Sequence, residues 1–313
     1  MKTLLQRTIK DKEVNLYPVW LMRQAGRYMP EYMAIKAESN GFLDMALTPE
    51  KATEITMQPI KEFDMDAAII FSDILIINYA LGQELDYTPS PVLGPYNESF
   101  WNTDFDTFLT RCQPVYDAIK LVREELDDSK SLIGFAAAPY TLCKYMCDSV
   151  DSDIVNRLIP YIVTHLSMQI EAGCDTIQIF DSWAGDISEH DFDEIIIEPT
   201  KLIVDAIRSR HPEVCIIAFP RLVGNKINKY IEIVNPDCTN ISDDKPVDEI
   251  EGEVLQGGIA VKRLIKGEDI TPVLDKMKGK PYVVNLAHGI DKITPVENVR
   301  NLVNKAKEYR ENV

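Results

Sequence analysis

The chain offers little for metal or redox chemistry. Its six cysteines, Cys112, Cys143, Cys147, Cys174, Cys215 and Cys238, are scattered without the paired short spacings of a zinc site. A chain of 313 residues with 45% hydrophobic content needs no disulfide staples, so reduced, partly buried thiols are expected. Cys143 and Cys147 can share one helix face, but no nearby histidine completes a metal site. Basic residues are also in short supply. Lys plus Arg number 33 against 50 Asp plus Glu, a formal net charge of −17, which speaks against nucleic-acid or anionic-membrane partners. The first residues, MKTLLQRTIKDKEV, hold no apolar signal core, and no uncharged apolar run reaches the roughly 18 residues of a membrane span. A cytoplasmic protein is expected. Phosphate loops are missing too, since no G-x-G-x-x-G or G-x-x-x-x-G-K-[ST] follows a candidate strand. No low-complexity segment or Pro/Gly/Ser-rich linker divides the chain, so residues 1–313 read as one domain.

What is present is a recurring pattern of short apolar runs, each followed by a longer segment of helical period. The runs are VWLM (19–22), AAIIF (67–71), SLIGFA (131–136), TIQIF (176–180), CIIAF (215–219), CTNIS (238–242), EVLQGG (253–258) and YVVNLA (282–287). Amphipathic stretches at 48–63, 103–126, 153–172, 189–210 and 294–311 alternate with them. The last opens TPVE, which predicts Thr294 as N-cap, Pro295 at the first helical position and Glu297 completing a capping box. Eight β-then-α units in this length predict an α/β fold, a single (β/α)8 TIM-type barrel, with a doubly wound open sheet as the alternative.

In a barrel the loops after the strands share one face, and site residues collect there. The strand ends bring up Arg23 and Arg27, then Ser72 and Asp73, Tyr140 and Tyr145, Asp181, Ser182 and Trp183, and finally His288 and Gly289. Two guanidiniums with an aspartate, a tyrosine, a serine and a histidine suit a polycarboxylate ligand, because arginine pairs bidentately with carboxylates. Each has a plainer explanation. Arg23 and Arg27 could form structural ion pairs with the excess of acids, on a helical turn or in a loop around Gly26. Asp73, flanked by AIIF and ILII, must be paired, hydrogen-bonded or neutral, and could cap the following helix with Ser72. His165, His190 and His211 fall in helical or charged stretches and are expected at the surface. His288 alone sits at a strand end, where a structural histidine is the competing explanation.

The blocks PVWLMRQAGRYMPEY, IIFSDIL, GFAAAPYTL, FDSWAG and NLAHGI followed by TPVENV closely resemble, in order and spacing, the signature blocks of the uroporphyrinogen decarboxylase family. The resemblance runs from about Leu4 to about Lys307. It implies a (β/α)8 barrel, a homodimer, and a reaction without cofactor or metal. In that reaction the four acetate side chains of uroporphyrinogen III become methyl groups, giving coproporphyrinogen III in haem biosynthesis. By the same resemblance Arg23 and Arg27 hold substrate carboxylates and Asp73 faces the pyrrole NH groups. Tyr145, Ser182 and His288 are the remaining polar site positions, with Asp73, Arg23, Tyr145 and His288 counted as catalytic. The chain departs from the family at Ala137–Thr141, at CDSVDS, at NISDD (240–244) and at QGGIAV. Two rivals remain. A zinc-dependent corrinoid or thiol methyltransferase needs a His-x-Cys pair near the fifth strand, where this chain has IIAFPRL, and a later cysteine, which is missing after Cys238. The other is a non-catalytic porphyrinogen-binding relative, suggested by the divergent NISDD block.

Overall fold

The computed structural model describes residues 1–87 and 90–313. Among the described residues, seven strands make one sheet in which every neighbouring pair is parallel: β1 (Ala67–Ile69), β4 (Ser131–Ala137), β5 (Thr176–Asp181), β6 (Cys215–Pro220), β7 (Cys238–Ile241), β8 (Leu255–Gly257) and β9 (Tyr282–Val283). A separate antiparallel hairpin, β2 (Leu85–Tyr87) and β3 (Pro91–Leu93), is inserted between β1 and β4. All residues of β4 and β6 are buried, as expected of parallel strands covered on both faces. Helices Pro49–Phe63, Phe105–Glu125, Ser152–Ala172, Glu198–Arg210 and Val296–Glu311 supply much of the larger core cluster, in which Ile55, Val122, Leu166, Val204 and Val303 are fully buried.

The sheet is strongly curled. Flat strands three places apart would stand roughly 14 Å from each other, yet Gln256 of β8 donates to Gln178 of β5 over 3.0 Å, to Asn240 of β7 over 2.8 Å, and accepts from the Trp20 indole over 2.9 Å. Around this polar chain lies a second apolar cluster of Trp20, Met22, Ile133, Ile217, Phe219 and Val283, joined by Leu5 and Ile9 of the first helix, Leu4–Lys10.

The expected first strand, 19–22, is reduced to one parallel bridge between Val19 and Val284. Val284 N–H donates to Pro18 and Trp20 N–H to Val284, while on the other side Asp66 N–H donates to Val19. The remaining amides of the segment go to side chains: Val19 to Asp66, Leu21 to Gln24 and Met22 to Asn285. Side-chain acceptors replace the carbonyls of a neighbouring strand, so no ladder forms. Two further expectations are corrected. Pro295, not Thr294, is the cap residue of Val296–Glu311, and no capping box forms, because Thr294 N–H is taken by the Asp291 carbonyl and its hydroxyl is buried without a partner. His165 is buried, not exposed: it shares an inner helix face with Leu158, Ile162 and Gln169, and its Nδ1 lies 2.9 Å from the Tyr116 hydroxyl. Burial lowers its pKa to about 3.

Candidate functional site

Because all seven strands run the same way, their C-terminal ends form one rim, and five of the six expected residues meet there. Arg23 follows the 19–22 segment in left-handed backbone at φ 58°, and the chain stays in turns until helix Pro30–Ala37. Its side chain lies against Gly289, whose Cα has room for hydrogen only: a methyl there would stand 2.4 Å from Arg23 Cδ. Ile290 N–H donates to the Met22 carbonyl over 2.9 Å, lacing the two loops together. Among the described residues, neither Arg23 nor Arg27 forms an ion pair, so the structural salt-bridge explanation is not realised. Arg27 stands apart from the other five. It is exposed and acts on Tyr32, whose ring packs on Phe71, two residues before Asp73.

Asp73 follows β1 and is partly buried at the rim. One carboxylate oxygen accepts the Leu75 N–H over 2.7 Å in a local turn, but Leu75, not Asp73 or Ser72, is the cap residue of the following helix, Ile76–Ala80, and no side chain caps it. Burial raises its pKa, opposed by the Leu75 amide, the Tyr87 hydroxyl and Arg23. A carboxylate so placed gains from any additional donor that a ligand brings. Tyr87, on the inserted hairpin, has its own pKa raised by burial and then by Asp73, and Tyr145 acts on it. Tyr145, on helix Pro139–Cys147, meets Trp183 edge to face at 5.9 Å, which places Ser182 beside it. Beneath them, buried Asp181 accepts from Thr141 over 2.7 Å and its pKa is pushed up to about 7 by burial. Its second oxygen has no partner. Ser72 Oγ and Trp183 Nε1 at the rim are likewise buried and unpaired, leaving donors free for a ligand.

His288 closes the ring. Burial, Arg23 and Arg221 lower its pKa to about 4, against smaller opposing effects of the Gly289 backbone and Asp243. The imidazole is therefore neutral at pH 7. Its native pKa lies below the unfolded value of about 6.5, so the unfolded chain binds the extra proton first, and this group's contribution to stability falls as pH drops from about 6.5 towards 4. The expected result is a His288 ring signal that does not titrate above pH 5 by NMR, and whose midpoint rises when a polycarboxylate binds beside the arginines. A midpoint near 6.5 in the free protein would refute this placement.

Two residues at the rim escaped the sequence reading. Tyr87 lies on a three-residue strand, too short for period analysis. Arg221 directly follows the CIIAFP run of β6 and was open to the same strand-end rule that collected the others. Among the described residues no three His, Cys, Asp or Glu side chains group so as to hold a metal ion, and no helix is long and apolar enough to cross a membrane. Cys143 and Cys147 do share a helix face, 3.8 Å apart, and all six cysteines are free thiols. Chemically, the rim presents unpaired guanidiniums at its edge, one partly desolvated carboxylate, and neutral imidazole and phenol groups.

A uroporphyrinogen decarboxylase family model matches residues 1–309. A uroporphyrinogen decarboxylase from Rickettsia bellii is 38% identical, with 98% of this chain and 99% of that protein covered. One from Brucella anthropi is 34% identical at 98% and 99% coverage. Among solved structures, a methyltransferase from Methanosarcina mazei superposes with a TM-score of 0.78 over 99% of both chains at 16% identity, a likeness of fold alone. With the matched segment running through every strand end described above, the chain belongs to the uroporphyrinogen decarboxylase family.

Proposed function

We propose that this chain decarboxylates the four acetate side chains of uroporphyrinogen III to methyl groups, giving coproporphyrinogen III. The observation that carries the reading, beside family membership, is the position of Asp73. It is a partly desolvated carboxylate on a rim that also carries arginines with no acid partner among the described residues. A porphyrinogen has the matching pattern, with NH donors at the centre and carboxylates around the edge.

Each turnover protonates the ring carbon next to the one bearing an acetate arm, breaks the bond from the methylene to the carboxylate carbon, and sends that electron pair into the cationic ring as CO2 leaves. The exocyclic carbon then takes a proton and the ring carbon loses one, so one proton is consumed per CO2. The protonated pyrrole is its own electron sink, which is why no cofactor enters the scheme. Asp73, ionised, accepts the pyrrole NH bonds and gains strength as the ring becomes cationic. Arg23 and Arg27 hold carboxylates, with Arg23 poised between Asp73 and His288. Tyr145, Ser182 and neutral His288 position further carboxylates. An arginine with a pKa above about 12 is a better clamp than acid, so the first proton is assigned to Arg23 or to a water or substrate carboxylate beside it.

The 19–22 segment bonds on one side to Val284 and on the other to Asp66, which supports counting it as the eighth stave of a (β/α)8 barrel spanning residues 1–313. The homodimer and the cytoplasmic location in this proposal rest on the family resemblance.

Chelator-dialysed protein, assayed anaerobically with uroporphyrinogen, is expected to yield coproporphyrinogen, read by chromatography of the oxidised porphyrins. Binding without loss of carboxyl groups would favour the non-catalytic relative. Activity lost with chelator and restored by zinc would favour the methyltransferase chemistry.

A further inference from the structure

Arg221 is a cation on the far wall of the rim that the family resemblance did not bring up. Along the bonded order of the sheet, the 19–22 segment, β1, β4, β5 and β6 follow one another, and β6 is four places from the segment that carries Arg23. Counting the other way through β9, β8 and β7 also gives four, so the two arginines stand on opposite walls.

The backbone of Arg221 is tightly held. Its N–H donates to the Asp181 carbonyl over 3.1 Å, and Leu222 N–H donates to Ser242 Oγ over 3.0 Å. Gly185 fits so closely against this turn that an added Cβ would stand 2.5 Å from the Leu222 carbonyl oxygen and 3.0 Å from that of Arg221. The guanidinium extends to the Ser182 carbonyl, 3.4 Å away, and, like Arg23, it acts on His288. No carboxylate of the described residues lies within 4 Å to pair with it, in a chain with 50 acidic residues. Other arginines of this chain do find acids, as Arg7 does with Glu13 and Arg300 with Glu62. A fixed, half-buried, unpaired guanidinium beside a serine and a neutral imidazole has the geometry of a carboxylate clamp.

We infer that Arg221 is a specificity-determining residue that holds a carboxylate on the opposite side of the macrocycle from Arg23. The inference rests on the decarboxylase reading for the identity of the ligand. The held group is a propionate, one that the reaction leaves in place. A guanidinium on the reacting acetate would favour the ground state, where the charge still resides on oxygen, over the transition state, where it has moved into the ring. A clamp on a side chain that survives costs nothing at the chemical step and keeps partly decarboxylated intermediates bound for the next turn.

The test uses Arg221→Gln, which keeps a polar side chain but carries no charge, and Arg221→Lys, which keeps the charge. For Arg221→Gln the KM for uroporphyrinogen and the Kd for the product coproporphyrinogen, titrated anaerobically, are both expected to rise about tenfold or more. Partly decarboxylated intermediates should accumulate in the medium, with kcat changed far less and melting temperature unmoved. Arg221→Lys should recover most of the affinity. Wild-type KM in folded Arg221→Gln overturns the inference, and so does a loss confined to uroporphyrinogen, which would place an acetate there. If Arg221→Gln does not fold, Arg221→Met is read by the same two affinities. A wild type that binds both ligands but releases no CO2 refutes the decarboxylase reading and leaves the affinities to judge Arg221. A wild type that binds neither overturns both.

Discussion

Asp73→Asn is expected to slow CO2 release by about 100-fold or more, the scale of losing one preorganised electrostatic partner, while the folded protein melts at or slightly above the wild-type temperature. The structural role of Asp73 is narrow. One oxygen accepts the Leu75 N–H over 2.7 Å, and an asparagine amide oxygen does the same with no change of shape. Burial raises the Asp73 pKa, so its ionised form is less comfortable in the native state than in the unfolded chain, and a neutral replacement removes that cost. What Asn cannot supply is negative charge. Its NH2 group would point a donor at ligand NH groups and at Arg23, where only acceptors are useful. Asp73→Glu keeps the charge but moves it by about one methylene, and is expected to lose activity through misplacement. Retention of most of the wild-type decarboxylation rate in folded Asp73→Asn would end the catalytic assignment and leave Asp73 as a turn residue.

Much of this arrangement could be read from the amino-acid order, and the exceptions have physical causes. Seven of the eight apolar runs became strands because parallel strands buried on both faces must be apolar throughout, which makes SLIGFAA and CIIAFP unmistakable. The eighth, VWLM, has the right residues but donates three of its amides to the side chains of Gln24, three residues on, and of Asp66 and Asn285, which are remote in the sequence and which no local pattern announces. His165 reads as a surface residue in the sequence because its helix is amphipathic over a wide arc. A polar residue on the edge of that arc is buried only if a partner such as the Tyr116 hydroxyl waits across the packing interface. Thr294 looked like a cap by type and spacing, yet the turn from Asp291 consumed its amide first. Asp73, Ser182 and His288 were found by one rule, that polar residues directly after buried strands gather on one rim. Arg221 satisfies the same rule. Tyr87 does not, since it reaches Asp73 from a hairpin inserted after β1, and a three-residue strand carries no period to detect.

Gly289→Ala should cost roughly 10- to 100-fold in kcat/KM with little loss of stability, although it deletes no functional group. Gly289 does not adopt left-handed backbone, so alanine fits its main chain without strain. The difficulty is space: the new methyl would stand 2.4 Å from Arg23 Cδ, 2.7 Å from Cγ and 3.0 Å from Nε. Something must move, and the backbone of Arg23 is poorly able to, being fixed at φ 58° between the Met22 and Gln24 hydrogen bonds. The flexible side chain gives way instead, carrying the guanidinium about 1 Å or more from its place between Asp73 and His288. A displacement of that size is enough for a loss of about 100-fold where geometry governs the rate. If this is the mechanism, the substitution must be silent once the Arg23 side chain is gone, so Arg23→Ala and the double variant should show equal kcat/KM, a coupling as large as the single effect of Gly289→Ala. Wild-type turnover in Gly289→Ala, or an undiminished penalty on top of Arg23→Ala, would show that the contact between Arg23 and Gly289 does not set the position of the guanidinium.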